Sequence, residues 1–487
     1  MTNARSAQRG QTAGSEPDQV EMTVYRAGVT VHRAEATAGG RRHPRLAALT
    51  RAARPDVMPA METSWLHPRD ELVETMRRIY RYKMTTTSGG NLSILDPDGS
   101  IWITPSRVDK GELQPADIVW VQADGTRIGR HAPSSEFPFH REIYRRRPDL
   151  GAIVHAHPGA LVAFSICRVL PDTRVQLLAH AVCGRVAYAP YACPGSDQLG
   201  RNIAETFARG ADCVMLENHG VVIGGRDLQD AFQRFETLEF VAQTLVKAAT
   251  LGEIQPLAAD RLVERMPPEP GELPPAAPTN REKELRTQIC RFVRRAYQQR
   301  LLISTAGSFS ARLDAGQFLI SPRRRDRLEL EPRGVVRATA EACEAGKRPS
   351  RTAGLHAAIY RRHPEVGAII NAQPAHASAF CMTKAVLSTH TIPESYIVLN
   401  EVPKLPHACV VAEAERIAAE VSLARRPVLL IENEGALVVG KDVLDAFDRL
   451  EVLEATAEAL ILSRPLGPLV PMPLAALDEL RRVFGVN

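Results

Sequence analysis

No apolar run in the 487 residues approaches the ~20 positions a membrane-spanning helix needs. That leaves a chain read as soluble and cytoplasmic, with no membrane partner. There is no CxxC pair among the eight cysteines, which are scattered from Cys167 to Cys409. A disulfide frame is thereby disfavoured, and the cysteines read as reduced, mostly buried thiols. Charge of one sign is also missing. The net charge of +5 is spread over scattered arginines and fits a small anion as well as nucleic acid. The expected partner is a small phosphorylated or carboxylated substrate, not nucleic acid.

What the chain has is ordinary globular composition, 44% hydrophobic and 24% charged, enough for two or three domains. Residues 1–62 are rich in Ala, Arg, Gly and Thr without a sustained apolar period, so they read as a disordered extension. They hold no secretory h-region. Glu16, Asp18, Glu21 and Glu35 argue against a transit peptide, and Met58 or Met61 is an alternative start.

Periodicity then predicts helices at about 67–83, 136–147, 158–166, 197–209 and 227–250. Strands are expected at 91–95, 100–104, 117–122, 151–156, 213–217 and 221–224. Interleaved helices and short strands indicate an α/β layer structure. Residues 251–281, with "PPEPGELPPAAPTN", read as a Pro-rich linker.

After the linker the pattern returns. "HREIYRRRPDLGAIVHAHPGA" (140–160) matches "HAAIYRRHPEVGAIINAQPAH" (356–376). "VMLENHGVVIGGRDLQDAFQRFETLE" (214–239) matches "LLIENEGALVVGKDVLDAFDRLEVLE" (429–454), and "ITPSRVDK" (103–110) matches "ISPRRRDR" (320–327). Three blocks in one order imply a tandem duplication: a first domain at 63–250 and a second at 282–487. The period of about 216 is too long for a solenoid repeat, so each copy is a domain.

The copies differ where chemistry would sit. His155, His157 and His219 become Asn371, Gln373 and Glu434; Glu136 becomes Thr352 and Asn91 becomes Ser308. His155 and His157 project from one face of a strand, the geometry two neighbouring metal ligands need. Three imidazoles suit Zn²⁺ with one open position; Mn²⁺ and Co²⁺ accept the same set. An isolated HxH is more often a packing feature. Joint loss of all three histidines and the glutamate from one copy favours ligands.

Three further stretches are polar. "SGGNLS" (88–93) is a Gly-rich turn that exposes N–H groups to an anion, "TPSR" (104–107) offers a hydroxyl and a guanidinium, and "PSSE" (133–136) sets serines at a helix N-terminus. Each also has a bland reading, as a turn, a solvated arginine and an N-cap.

The ordered set "SGGN…ITPS…PSSE…HAHP…ENHG" resembles the class II aldolase/adducin family, fuculose-phosphate-aldolase type. The resemblance covers residues about 67–250 well and about 282–465 as a degenerate copy. It implies two tandem αβα sandwiches, each with a mixed central sheet. It implies zinc on His155, His157 and His219, Glu136 as acid/base, and a substrate phosphate held by Gly90, Asn91, Ser106, Ser134 and Ser135. Arg107, where the family usually has glycine, is a further candidate for clamping an anion. The implied activity is cleavage of a C–C bond in a phosphorylated sugar, or related hydroxy-carbonyl compound, through an enediolate stabilised by the metal. Other readings are a pentulose-phosphate 4-epimerase, a decarboxylase, or an adducin-like interaction protein. The family's sites lie between subunits of a four-fold ring, which implies a dimer or tetramer of this chain. The family's tyrosine proton donor has no match in "TRVQLLAHAVCG"; Gln176 and His180 lie near.

Overall fold

The structure is a computed structural model that describes residues 66–486, apart from 264 and 315. The extension expected over 1–62, with its alternative starts, lies outside the described residues. Helix α1 (Pro68–Arg81) shows how local chemistry sets an element. His67 caps it by accepting from the Arg69 N–H, Pro68 stands at N1, acids fill the first turn, and Arg78 and Arg81 fill the last.

The first domain continues with β1 (Asn91–Leu95), β2 (Ile101–Ile103), β3 (Val119–Val121), β4 (Arg127–Ile128), α2 (Phe137–Arg146) and β5 (Ala152–Ala156). Then come α3 (Gly159–Ile166), α4 (Leu177–Cys183), β6 (Val186–Ala189), α5 (Asp197–Ala208), β7 (Cys213–Leu216), β8 (Val221–Gly225) and α6 (Leu228–Leu251). The sheet runs β4-β3-β2-β1-β5-β8-β7-β6. Only its β6–β7 pair is parallel, so the sheet is mixed.

Strand alternation splits the core in two. Ala152, Val154 and Ala156 of β5 pack with Leu72, Met76 and Phe235 from α1 and α6. Ile153 packs with Phe137, Ile143, Leu199 and Ile203 from α2 and α5. Helices therefore cover both faces, an αβα sandwich, and every residue of β5 is buried. His155 shares the parity of Ile153 and faces α2.

The second domain repeats this plan. Its strands are β9 (Gly271–Leu273), β10 (Ser308–Asp314), β11 (Gln317–Ile320), β12 (Val336–Ala338), β13 (Ala342–Glu344), β14 (Ala368–Ala372), β15 (Lys404–Leu405), β16 (Val428–Ile431) and β17 (Gly435–Gly440), and its sheet runs β15-β16-β17-β14-β10-β11-β12-β13-β9 with β10, β14 and β17 central. Register is preserved. His155 lies opposite Asn91 and Val222, and Asn371 lies opposite Ser308 and Leu437. The Pro-rich stretch does more than connect: its segment β9 (Gly271–Leu273) pairs with β13 (Ala342–Glu344) at the sheet edge.

The two domains share one core. Val241, Leu245 and Ala248 of α6 pack with Ala377, Phe380 and Cys381 of α9 (Ala375–Cys381). Beside this apolar contact lies a buried carboxylate, Glu236. It accepts from Tyr297 Oη at 2.8 Å, from the Ser304 N–H at 2.6 Å and from Arg300. Arg78 of the first domain donates to Tyr297 and pairs with Asp326 at 2.8 Å. Among the described residues no helix is long and apolar enough to cross a membrane.

Candidate active site

His155 is the fourth residue of β5, and His157 follows the strand's end. The turn between β7 and β8 carries His219. Asn218 adopts φ 53° there, and the His219 N–H is held by Ser165 Oγ at 3.0 Å and Leu216 O at 3.2 Å. One ligand atom from each of the three imidazoles lies within 4.8 Å of the others. Their ring centroids are 4.7–5.0 Å apart.

The His155 tautomer is fixed by its partner. Its Nδ1 donates to Val221 O at 2.9 Å, which leaves Nε2 facing the cluster. His157 is pushed down to about 3, by burial first and then by its imidazole neighbours. Burial and His155 push His219 down to about 4. Both are therefore neutral, as metal ligands must be. Burial opposes charge on His155 too, but the Glu136 carboxylate at 3.1 Å outweighs it and raises that group.

Glu136 is the N-cap residue of α2, with φ −95° and ψ 4°, and its side chain does not cap the helix. It turns inward instead. Oε2 accepts from Asn91 Nδ2 at 2.8 Å, and Oε1 is buried with no hydrogen-bond partner. Burial raises this carboxyl, but His155 and Asn91 hold it well below the usual range, so it is ionised. An ionised carboxylate with one orphaned oxygen beside three imidazoles is suited to accept a proton or assist a cation. The donor set of three imidazoles plus an adjacent carboxylate fits a divalent cation of the zinc type.

Behind Glu136 lies a relay that sequence reasoning missed. Asn91 Oδ1 meets His140 Nε2, His140 Nδ1 meets Ser93 Oγ at 2.7 Å, and Ser93 meets Tyr144 Oη at 2.7 Å. The second domain has the same back layer: His356 to Ser310 at 2.6 Å and Ser310 to Tyr360 at 2.8 Å. A layer kept in both copies is scaffold. The available signal was "HREIY" repeated as "HAAIY".

Two glycines were also missed. A Cβ on Gly220 would stand 2.6 Å from both Ala156 O and the His157 ring, and one on Gly89 would stand 3.1 Å from His157 Nδ1. Both glycines stand close against that imidazole. Gly90 has φ 71°, and a Cβ there would meet His155 O at 2.7 Å, so glycine is required. Thr85, beside both glycines, has a buried hydroxyl without a partner.

Two of the remaining sequence candidates, Ser106 and Ser134, lie on adjoining loops. A bridge between Pro105 and Pro133 joins the loops of Ser106 and Ser134. The Ser106 N–H donates to Ala132 O at 3.0 Å, and the Ser134 N–H donates to Thr104 O at 3.2 Å. Ser134 Oγ accepts from the Glu136 N–H at 3.2 Å, which ties it to the carboxylate's backbone. Ser135 and Arg107 are exposed, Arg107 at φ 57°. Gln176 and His180 do not join the cluster. His180 Nδ1 bonds Thr173 Oγ1 at 3.0 Å, and α4 borders a cleft of the second domain.

Comparison with known proteins gives a consistent picture. The sequence model of the family described as Class II Aldolase and Adducin N-terminal domain matches residues 70–246 and again 287–461. A 3-oxo-tetronate 4-phosphate decarboxylase of Escherichia coli K12 is 32% identical over 200 residues, 39% of this chain and 94% of that protein. An L-fuculose phosphate aldolase of Methanococcus maripaludis is 35% identical over 176 residues, 36% of this chain and 93% of its own. A 5-methylthioribulose-1-phosphate/5-deoxyribulose-1-phosphate aldolase of Rhodospirillum rubrum is 31% identical over 195 residues, 40% of this chain and 87% of its own.

Proposed function

Because the chain belongs to the class II aldolase and adducin family, we propose that its first domain is a zinc-dependent lyase. Its substrate is a phosphorylated sugar or related hydroxy-carbonyl compound, and the bond broken is carbon–carbon. One observation carries this reading: the convergence of His155, His157 and His219 beside the orphaned oxygen of Glu136. When bound, the cation supplies Lewis-acid stabilisation of negative charge on substrate oxygens.

The chain's own residues do the rest. Glu136 moves the proton at the reacting carbon, and Asn91 and His140 hold its carboxylate in place. Asn91 thus orients the base, and the backbone of Gly90 and Asn91 remains for the substrate. Ser106, Ser134 and Ser135 hold the phosphate, with Arg107 at the rim. Distant anchoring fixes which bond stands over the carboxylate.

A decarboxylase is the second reading, favoured by the relative of that name at 32% identity. The same centre serves either reaction, since both leave charge beside a carbonyl. The eight cysteines are all free, in keeping with a reducing cytoplasm.

We also read the enzyme as a dimer. Within the chain, α4 and α6 of the first domain wall the second domain's cleft. The matching surface of the second domain, with Glu394, Lys441 and Asp448, is exposed. A second copy docked there would close the first domain's site.

Metal analysis tests the centre. Wild type should carry about one zinc per chain and His155→Ala almost none. Ketose 1-phosphates should release aldehyde, whereas a 3-oxo acid phosphate would release CO₂ for the second reading. Glu136→Gln should keep its metal and lose about 10²–10⁴ in turnover. A metal-free wild type, or full turnover in Glu136→Gln, sinks the proposal.

A further inference from the structure

Lys110 is a cation buried where no carboxylate meets it. It is 1% exposed, and burial alone pushes its ammonium down to about 8. Among the described residues its Nζ has one partner, Pro105 O at 2.6 Å. An ammonium carries three donors, so this one is underused in the interior. Burying such a group costs solvation and weakens a fold.

The second domain keeps a buried cation at the matching position, Arg327. The equivalence extends to single bonds. The Lys110 N–H donates to Thr87 O at 2.8 Å, and the Arg327 N–H donates to Ser304 O at 2.9 Å. Lys110 Nζ donates to Pro105 O, and Arg327 Nη1 donates to the matching Pro322 O at 3.0 Å. Arg327 also takes the carbonyls of Thr305, Ala306 and Gly307. In the first domain Ser88, Gly89 and Gly90 hold those places, and Lys110 leaves them free.

These bonds join two loops. One runs from Thr87 to Asn91 and carries Gly90, at φ 71°. The other runs from Thr104 to Arg107 and carries Ser106. Both supply phosphate contacts in the lyase proposed for the first domain. Lys110 ties one to the other, with its main chain on the first loop and its side chain on the second.

Resting on that reading of the first domain, we propose that Lys110 is a positioning residue. It sets the spacing of the Gly90 and Ser106 loops, and so the affinity for a phosphate ester, at a cost to stability. Being fully buried, it acts through the loops and not on the ester. Loops held at fixed spacing lose less entropy when the ester enters.

Calorimetric titration of the full-length, metal-loaded chain with glycerol 3-phosphate tests this, with a urea melt and amide exchange on the same samples. Lys110→Met should weaken ester binding about tenfold. It should melt no lower than wild type, because removing an uncompensated charge offsets the one carbonyl left bare. The Ser106 and Lys110 amides, bonded to Ala132 O and Thr87 O, should exchange faster. KM for a ketose 1-phosphate should rise by the same factor with kcat unchanged. Lys110→Arg, the second domain's residue, should bind the ester like wild type. Arg327→Lys should cost stability and leave ester affinity alone. Should Lys110→Met not fold, Lys110→Gln gives the same reading. Unchanged affinity in Lys110→Met overturns the proposal, as does affinity falling in step with stability, or a wild type that does not bind the ester. Weakened binding in Arg327→Lys overturns it too, since the ester then sits in the second domain. Absence of aldehyde release from wild type refutes the lyase and leaves this test standing, because binding and exchange need no turnover.

Discussion

Gly220→Ala tests the claim that the metal centre is set by backbone clearance as much as by its ligands. The added Cβ would lie 2.6 Å from Ala156 O and 2.6 Å from the His157 ring, where ordinary contact begins at 3.4 Å. Something must therefore move by about 0.8 Å, several times the ~0.2 Å tolerance of a metal–ligand distance. Ala156 O belongs to a fully buried central strand paired on both sides. The half-buried imidazole of His157 is the softer neighbour. The ring should yield, and zinc affinity should fall by about 10–100-fold, or about 1.4–2.8 kcal/mol. The overpacking itself should cost about 1–3 kcal/mol of stability. The assay is zinc competition against a chelating dye, with a urea melt on the same samples. Gly435→Ala provides the control, since its Cβ would meet Ala372 O at 2.6 Å but no histidine. It should lose stability and keep zinc. A Gly220→Ala enzyme that binds zinc like wild type would refute the reasoning.

The other perturbations act on the frame. Glu236 is fully buried and satisfies Tyr297, Arg300 and the Ser304 N–H, so Glu236→Ala strands three donors at the domain junction. A loss of about 3–5 kcal/mol in chemical denaturation is expected, and less than about 1 would show the network to be incidental. Burial first, then the charges of Asp227 and Glu74, raise Glu71 to about 7. Its folded form binds more protons than the unfolded chain between about pH 4.5 and 7, so stability falls as pH rises through that window. Glu71→Gln should flatten this slope and melt higher than wild type above pH 7. An unchanged slope would refute the assignment.

Much of the fold was legible because burial writes itself as period. Strand 152–156 and helix 228–251 carry unbroken apolar patterns, and the structure places both within one or two residues of expectation. The α4 and β6 segments did not announce themselves. "LLAHAVC" is seven residues of apolar run, too short to tell helix from strand, and it ends where Gly184 turns to φ 59°. The α7 helix (Asn280–Gln298) begins inside the stretch read as linker, because Thr279 caps it by accepting from the Glu282 N–H.

The candidate ligands were legible for a different reason. The chain holds its own comparison, and substitutions that change together mark a shared task. Thus the sequence by itself determined two copies of one sandwich and the polar set that distinguishes them, since composition and order survive without coordinates. Only tertiary structure decided that Asn91 serves Glu136, that Gly220 clears room for His157, and that the first domain's α4 faces the second domain's cleft. Those facts depend on distances between segments far apart in the chain, and only packing sets such distances.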